Sequence, residues 1–259
     1  MPGGNVGAYF DAFTAASARA REGVPSDLGR RYGEDARETI DFFPATRPNA
    51  PLFLWMHGGY WRRMSKNEFS FVAPPLVEAG AAVAVVNYPL APGPTLDEIV
   101  DSVRRAYTYA LGHAGDLNAD PAKVFLGGHS VGAQLAAMVA AAYEVRGLLT
   151  LSGLYDLEPL RSTHINEGIA MDTATAARNS PIHQPPLGEP SLAIATGEHE
   201  QAAFHLQQRR YLAAWRSWGH EAREIEAAGH NHFTIVLELA DRCSRISAAL
   251  RELMGLTRG

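Results

Sequence analysis

Short apolar runs alternate along this chain with longer stretches in which apolar residues recur every three or four positions. The first pattern is that of strands buried on both faces, and the second that of helices with one buried side. Pro51-Leu-Phe-Leu-Trp-Met-His57 is the clearest strand. Residues 81–88, 124–127, 148–151 and 192–195 repeat the pattern, 38–44 form an early strand, and 223–227 a weaker strand of edge type. Between them the spacing predicts helices. Thr95 and Glu98 stand at the N-cap and N3 positions of a capping box, and Leu96, Ile99, Val100, Val103 and Tyr107 follow as one stripe. Residues 131–143 are alanine-rich and apolar nearly all round, which predicts a buried helix. Residues 6–21, 204–218 and 233–253 read as further helices. The stretch 158–190 is different: its Pro, Gly, Asn and His are scattered without period, as in an excursion over the top of the sheet. The alternation as a whole predicts one α/β domain over 1–259, with a mostly parallel central sheet covered by helices on both faces.

Composition narrows the functions open to such a domain. The chain has 259 residues, 46% hydrophobic and 20% charged, as expected of a chain that folds around one core. No apolar run approaches the 18 residues or so of a membrane span. The opening MPGGNVGAYFDAF lacks a basic region followed by an apolar segment, so a secretory leader is not expected. The net charge of −5, without a basic block, gives no support to nucleic-acid or membrane-surface partners. The one cysteine, Cys243, allows neither a disulfide framework nor a thiolate metal cage, and a cytoplasmic setting is expected. Cys243 itself reads as a helix residue. Assembly as a homodimer stays open.

Four segments carry candidate chemistry. Gly128-His-Ser130-Val-Gly132 matches G-x-S-x-G between a strand and a helix, the nucleophile elbow of an α/β-hydrolase fold. His57-Gly-Gly-Tyr-Trp61 follows a strand, and the backbone N–H groups of Gly58 and Gly59 could join that of Val131 in holding an oxyanion. In Gly229-His-Asn-His232-Phe, His232 is the favoured general base and His230 the alternative. In Thr196-Gly-Glu198-His-Glu200, two glutamates compete as the acid that orients the imidazole, with Asp156 an outside candidate. Tyr60 and Trp61 could stack on an aryl group, and residues 161–171, with His164 and Asn166, could cap a pocket. Two other classes are weaker. Histidines 199, 205, 230 and 232 could suggest a metal hydrolase, but no H-E-x-x-H motif occurs, so no metal and no cofactor are expected. A silent binding protein of this fold would be expected to lack the serine or the histidine, and both are present.

Taken together, His57-Gly-Gly-Tyr-Trp61, Gly128-His-Ser130-Val-Gly132, Ser152-Gly-Leu-Tyr-Asp156-Leu, Ser180-Pro181 and Asn231-His232-Phe233 resemble the serine-dependent arylformamidase (kynurenine formamidase) family of α/β-hydrolases. Asn87-Tyr-Pro-Leu-Ala-Pro92 is similar to a segment of hormone-sensitive-lipase-like esterases. The resemblance spans about Tyr32 to Phe233. It implies a nucleophile at Ser130, a base at His232 and the acid at Glu200, where family members commonly carry aspartate; Glu198 is the substitute. It also implies a small-molecule substrate, an N-formyl aryl amine cleaved with release of formate. A carboxylesterase or amidase acting on small aryl esters or amides is the alternative.

Overall fold

The computed structural model describes residues 6–256. The first five residues of the stretch read as carrying no leader lie outside the described residues. Eight strands of the described chain make one sheet: β1 (Asp27–Arg31), β2 (Thr39–Phe43), β3 (Ala50–Met56), β4 (Ala82–Val86), β5 (Ala119–His129), β6 (Gly147–Leu151), β7 (Ser191–Ala195) and β8 (Ala222–Glu224). Their order across the sheet is β1-β2-β4-β3-β5-β6-β7-β8. β2 runs antiparallel to both its neighbours, and every pairing from β4 to β8 is parallel. The helices are α1 (Val6–Gly23), α2 (Ala73–Glu78), α3 (Leu96–Gly112), α4 (Val131–Ala140), α5 (Thr173–Arg178), α6 (Ala202–Ser217), α7 (Thr234–Leu237) and α8 (Arg245–Leu253).

The alternation of side chains along each strand divides the core in two. Leu52, Leu54, Met56, Leu126, Leu148 and Ile194 pack with the stripes of α3, α4 and α6. Phe53, Trp55, Phe125, Leu149, Leu151 and Ala195 pack on the opposite face with Phe13 of α1, Leu76 of α2, Ile235 of α7 and Leu250 of α8. Central strands covered on both faces must be almost wholly apolar; β3 and β4 are apolar throughout, and β6 is apolar but for the buried Thr150. The capping box at Thr95 forms, with the side chain of each partner bonded to the backbone N–H of the other. No helix of the described residues is long and apolar enough to cross a membrane.

Several expectations are corrected. The polar strand β1 was not expected; it lies at the exposed edge and pairs only with β2. β5 begins five residues early, in the hydrophilic stretch Ala119 to Lys123. The helices and 3-10 turns of residues 66–78 were also not expected. The last strand sits at Ala222–Glu224 instead of 223–227. The helix expected over 233–253 breaks into α7, a 3-10 turn at Glu238–Ala240, and α8. The break is made by polar side chains that compete for backbone: Asp241 accepts the N–H of Cys243, and Ser244 caps α8 by accepting the N–H of Ser247. Cys243 is therefore an exposed turn residue and not a helical one. Residues 158–190 carry α5 and three short 3-10 turns.

Candidate active site

Ser130 is the N-cap of α4, directly after β5. Its backbone takes φ 57° and ψ −123°, a conformation that costs a residue with a side chain about 1–3 kcal/mol. Close packing holds it there. A Cβ on Gly128 would come 2.2 Å from the Gly132 backbone, and a Cβ on Gly132 would come 2.1 Å from the Met56 carbonyl oxygen. The N–H of Ser130 donates to Leu151 O at 2.8 Å. Strands β3 and β6 thus fix the turn from two sides, and both glycines of the motif are required by contact.

The loop after β3 lies against this turn. A Cβ on Gly58 would come 2.9 Å from His129 Nδ1 and 3.2 Å from Ser130 Cβ. Gly59 has φ +118°, and a Cβ there would come 2.2 Å from Arg63 O, so only glycine fits. The N–H groups of Gly58, Gly59 and Val131 donate no hydrogen bond among the described residues. Tyr60, Trp61 and Met64 also hold positive φ. Their neighbours keep them there: Arg62 and Arg63 donate backbone N–H to Gly59 O, and Ala91 N–H donates to Trp61 O. Arg37 donates to Met64 O and Tyr88 O, while the Tyr88 hydroxyl donates to His57 O at 2.6 Å.

Trp61 is fully buried, and its Nε1–H donates to Gln134 Oε1 at 3.1 Å; Gln134 in turn donates to Asn179 O. This corrects the expectation that Trp61 faces a substrate: the indole has no open surface and instead ties the loop to α4. Tyr60 is only partly buried. Burial first, and then the charge of Glu200, push its phenol above the ordinary value. Asn166 closes its own loop: its amide accepts the N–H of Met171 and donates to Arg161 O and Met171 O. His164 is exposed on the same loop and makes no hydrogen bond among the described residues.

His232 Nδ1–H donates to Glu200 Oε2 at 2.6 Å, and the Glu200 side chain is fully buried. Two rings pack on the imidazole, Phe204 at 4.5 Å and His129 at 4.6 Å between centroids. His129 precedes Ser130 in the chain, and its Nε2–H donates to His232 O at 2.8 Å. The elbow and the histidine loop are thereby joined. No hydrogen bond links the Ser130 hydroxyl to His232 among the described residues. The neighbours of His232 are held by the opposite end of the chain: Asn231 Nδ2 donates to the Tyr9 hydroxyl, and Phe233 stacks on Tyr9 at 5.1 Å.

The other sequence candidates lie elsewhere. Glu198 Oε2 accepts the N–H of Gly229 at 2.7 Å, Asp156 pairs with Arg210, and His230 Nε2 stands 3.5 Å from Glu238. His129, Phe204 and Tyr9 were not singled out from sequence. His129 was visible only as the variable position of G-x-S-x-G, and no local signal marks the other two. Ser152, which donates to Glu200 Oε1, stood in a motif read for its aspartate. No group of three or more His, Cys, Asp or Glu among the described residues could hold a metal ion.

Two buried imidazoles make stability depend on pH. Burial pushes His57 down to about 4, against the bonding of Nδ1 to Gly58 O, and pushes His129 well below the ordinary 6.5. The unfolded chain therefore takes up these protons first as pH falls. Stability is complete above about pH 6.5 and declines from there toward pH 4. Between pH 7 and pH 5, His57 alone removes about 2 kcal/mol. Urea unfolding at pH 7, 6 and 5 should show this decline, and a flat profile over that range would contradict neutral, buried imidazoles.

Comparison with known proteins places these features. The α/β hydrolase fold family matches residues 53–236. A kynurenine formamidase of Danio rerio is 32% identical, covering 96% of this chain and 89% of its own length; one of Salmo salar is 30% identical over the same shares. A crystal structure from Silicibacter sp. that carries a provisional thioesterase name superposes with a TM-score of 0.85 at 29% identity, covering 94% of this chain and 93% of the other. A Pyrobaculum calidifontis esterase shares the fold, with a TM-score of 0.75 at 17% identity, covering 96% and 92%. With identity at this level along nearly its whole length, and with the fold matched independently, the chain belongs to the kynurenine formamidase family of α/β-hydrolases.

Proposed function

We propose that this protein is a serine hydrolase that cleaves the formamide of an N-formyl aryl amine of the N-formylkynurenine type. The observation that supports the chemistry is the hydrogen bond between Glu200 and His232 on a loop tied, through His129, to the strained turn bearing Ser130. The substrate class rests on the relatives. In this reading Ser130 Oγ attacks the formyl carbon while His232 Nε2 takes its proton. Catalytic hydrogen bonds of this kind are often long in the free enzyme and tighten on the substrate. The oxyanion meets the unused N–H groups of Gly58, Gly59 and Val131, and each such donor is worth about 3 kcal/mol of barrier. His232 returns the proton to the nitrogen as the C–N bond breaks, so the aryl amine leaves neutral. Water, deprotonated by the same imidazole, then releases formate from the Ser130 ester.

Glu200 holds His232 in the tautomer with the proton on Nδ1, which leaves Nε2 free to act as base. Tyr60, half open beside Glu200, is the aromatic surface available to an aryl group. Residues 158–190 are the cap of this site: Gly168 packs on the Arg62 guanidinium, and the carbonyl of Asn179 takes the Gln134 amide behind Trp61. A cytoplasmic setting accords with a single, exposed cysteine.

A substrate panel tests the reading. kcat/KM for an N-formyl arylamine should exceed that for the N-acetyl amide. Failure to hydrolyse the formyl amide, with rapid turnover of acetyl and butyryl aryl esters, would make the protein a carboxylesterase instead.

A further inference from the structure

The buried carboxylate of Glu200 is held by more than His232. Its Oε2 receives His232 Nδ1–H, while its Oε1 receives both the N–H of Gly197, at 2.7 Å, and the hydroxyl of Ser152. An ionised carboxylate only accepts, so Ser152 is the donor. Ser152 follows β6, is buried and holds φ 52°. Its N–H is fixed to Ala195 O, the last residue of β7, at 2.8 Å. A serine thus occupies a strained backbone position where glycine would be easier, and its side chain spends its hydrogen on the glutamate. We propose that Ser152 is a positioning residue for catalysis: by pinning Oε1 of Glu200 it keeps Oε2 aimed at His232. This rests on the reading of Ser130, Glu200 and His232 as the catalytic set.

The carboxylate has no contact with solvent, and among the described residues its hydrogen-bond donors are His232, Gly197 and Ser152. Without the hydroxyl, Oε1 keeps a single donor. The charge then concentrates on Oε2, the oxygen that faces His232. The acidic limb of the kcat/KM profile should therefore move to higher pH. The carboxylate also gains freedom to turn, which lowers kcat more than it raises KM.

Two variants separate this role from folding. Ser152→Ala removes the hydroxyl and keeps the backbone strain. Ser152→Gly removes the hydroxyl and relieves the strain, so its Tm should equal or exceed that of the parent. Both should lower kcat on an N-formyl arylamine by about 10- to 100-fold, as when a residue that orients a catalytic ligand is lost. KM should stay within about twofold, and the acidic limb should shift upward in both variants. Wild-type kcat in Ser152→Gly, or a loss of kcat with an unmoved pH profile, would overturn the role of Ser152. Ser130→Ala, measured beside them, separates the two levels: if it is inactive while Ser152→Gly is fully active, only the Ser152 proposal falls, whereas turnover in Ser130→Ala removes the catalytic reading beneath it.

Discussion

Ser130→Ala is expected to lower kcat by about 10⁶-fold, the loss seen when a nucleophilic serine is removed from a site that works as a unit. The fold should survive intact. The Ser130 hydroxyl makes no hydrogen bond among the described residues, so its removal leaves no partner unsatisfied. The strain at φ 57° is the same for alanine as for serine. Ser130→Gly supplies the control: it should be equally inactive, yet more stable by about 1 kcal/mol, because glycine takes this conformation freely. Unchanged Tm with lost turnover in the first variant, and raised Tm with lost turnover in the second, would separate chemistry from folding. Persistent turnover in pure Ser130→Ala would place the nucleophile elsewhere.

How far the sequence could be read depends on whether a residue's environment is local. Strands β3, β4 and β6 were legible because a strand covered on both faces must be apolar at nearly every position, and Thr150 of β6 is the one polar residue among them. β1 was not, since Asp27–Arg31 is an exposed edge whose pairing depends on β2, and nothing in Asp-Leu-Gly-Arg-Arg carries that information. The apolar period of 233–253 was real, but it spanned a break that Asp241 and Ser244 impose through their own hydrogen bonds. Helical period and capping propensity conflicted there, and capping prevailed. The site shows the same division. The turn at Ser130 announces itself, because its glycines are demanded by contacts within a few residues and with the neighbouring strand. Trp61 could not be assigned to pocket or core from its own surroundings, because its partner Gln134 is 73 positions away. The link from Tyr9 to Asn231 spans 222 positions and leaves no trace in either local sequence.

Glu200→Gln should lower kcat by about 10⁴-fold, and Glu198→Gln should leave it within a few-fold of the parent. Spacing could not choose between these glutamates, since both follow β7 within five residues; the path of the loop does. Glu198 turns to the backbone of Gly229, an exposed contact whose loss relaxes a loop. Glu200 turns inward to His232. The size of the effect at Glu200 follows from which end of the new amide faces the imidazole. Oε1 sits under two donors, the Gly197 N–H and the Ser152 hydroxyl, so the amide carbonyl must take that place. The amide NH₂ is then directed at Nδ1 of His232. Two donors cannot face each other, so the ring must move its proton to Nε2, the atom that has to accept from Ser130. The variant would keep its shape and lose its base through the wrong tautomer. Proton NMR of the ring N–H groups should find the proton on Nδ1 in the parent and on Nε2 in Glu200→Gln. A large loss in Glu198→Gln with little change in Glu200→Gln would transfer the orienting role to Glu198 and contradict the hydrogen bond on which the catalytic assignment stands.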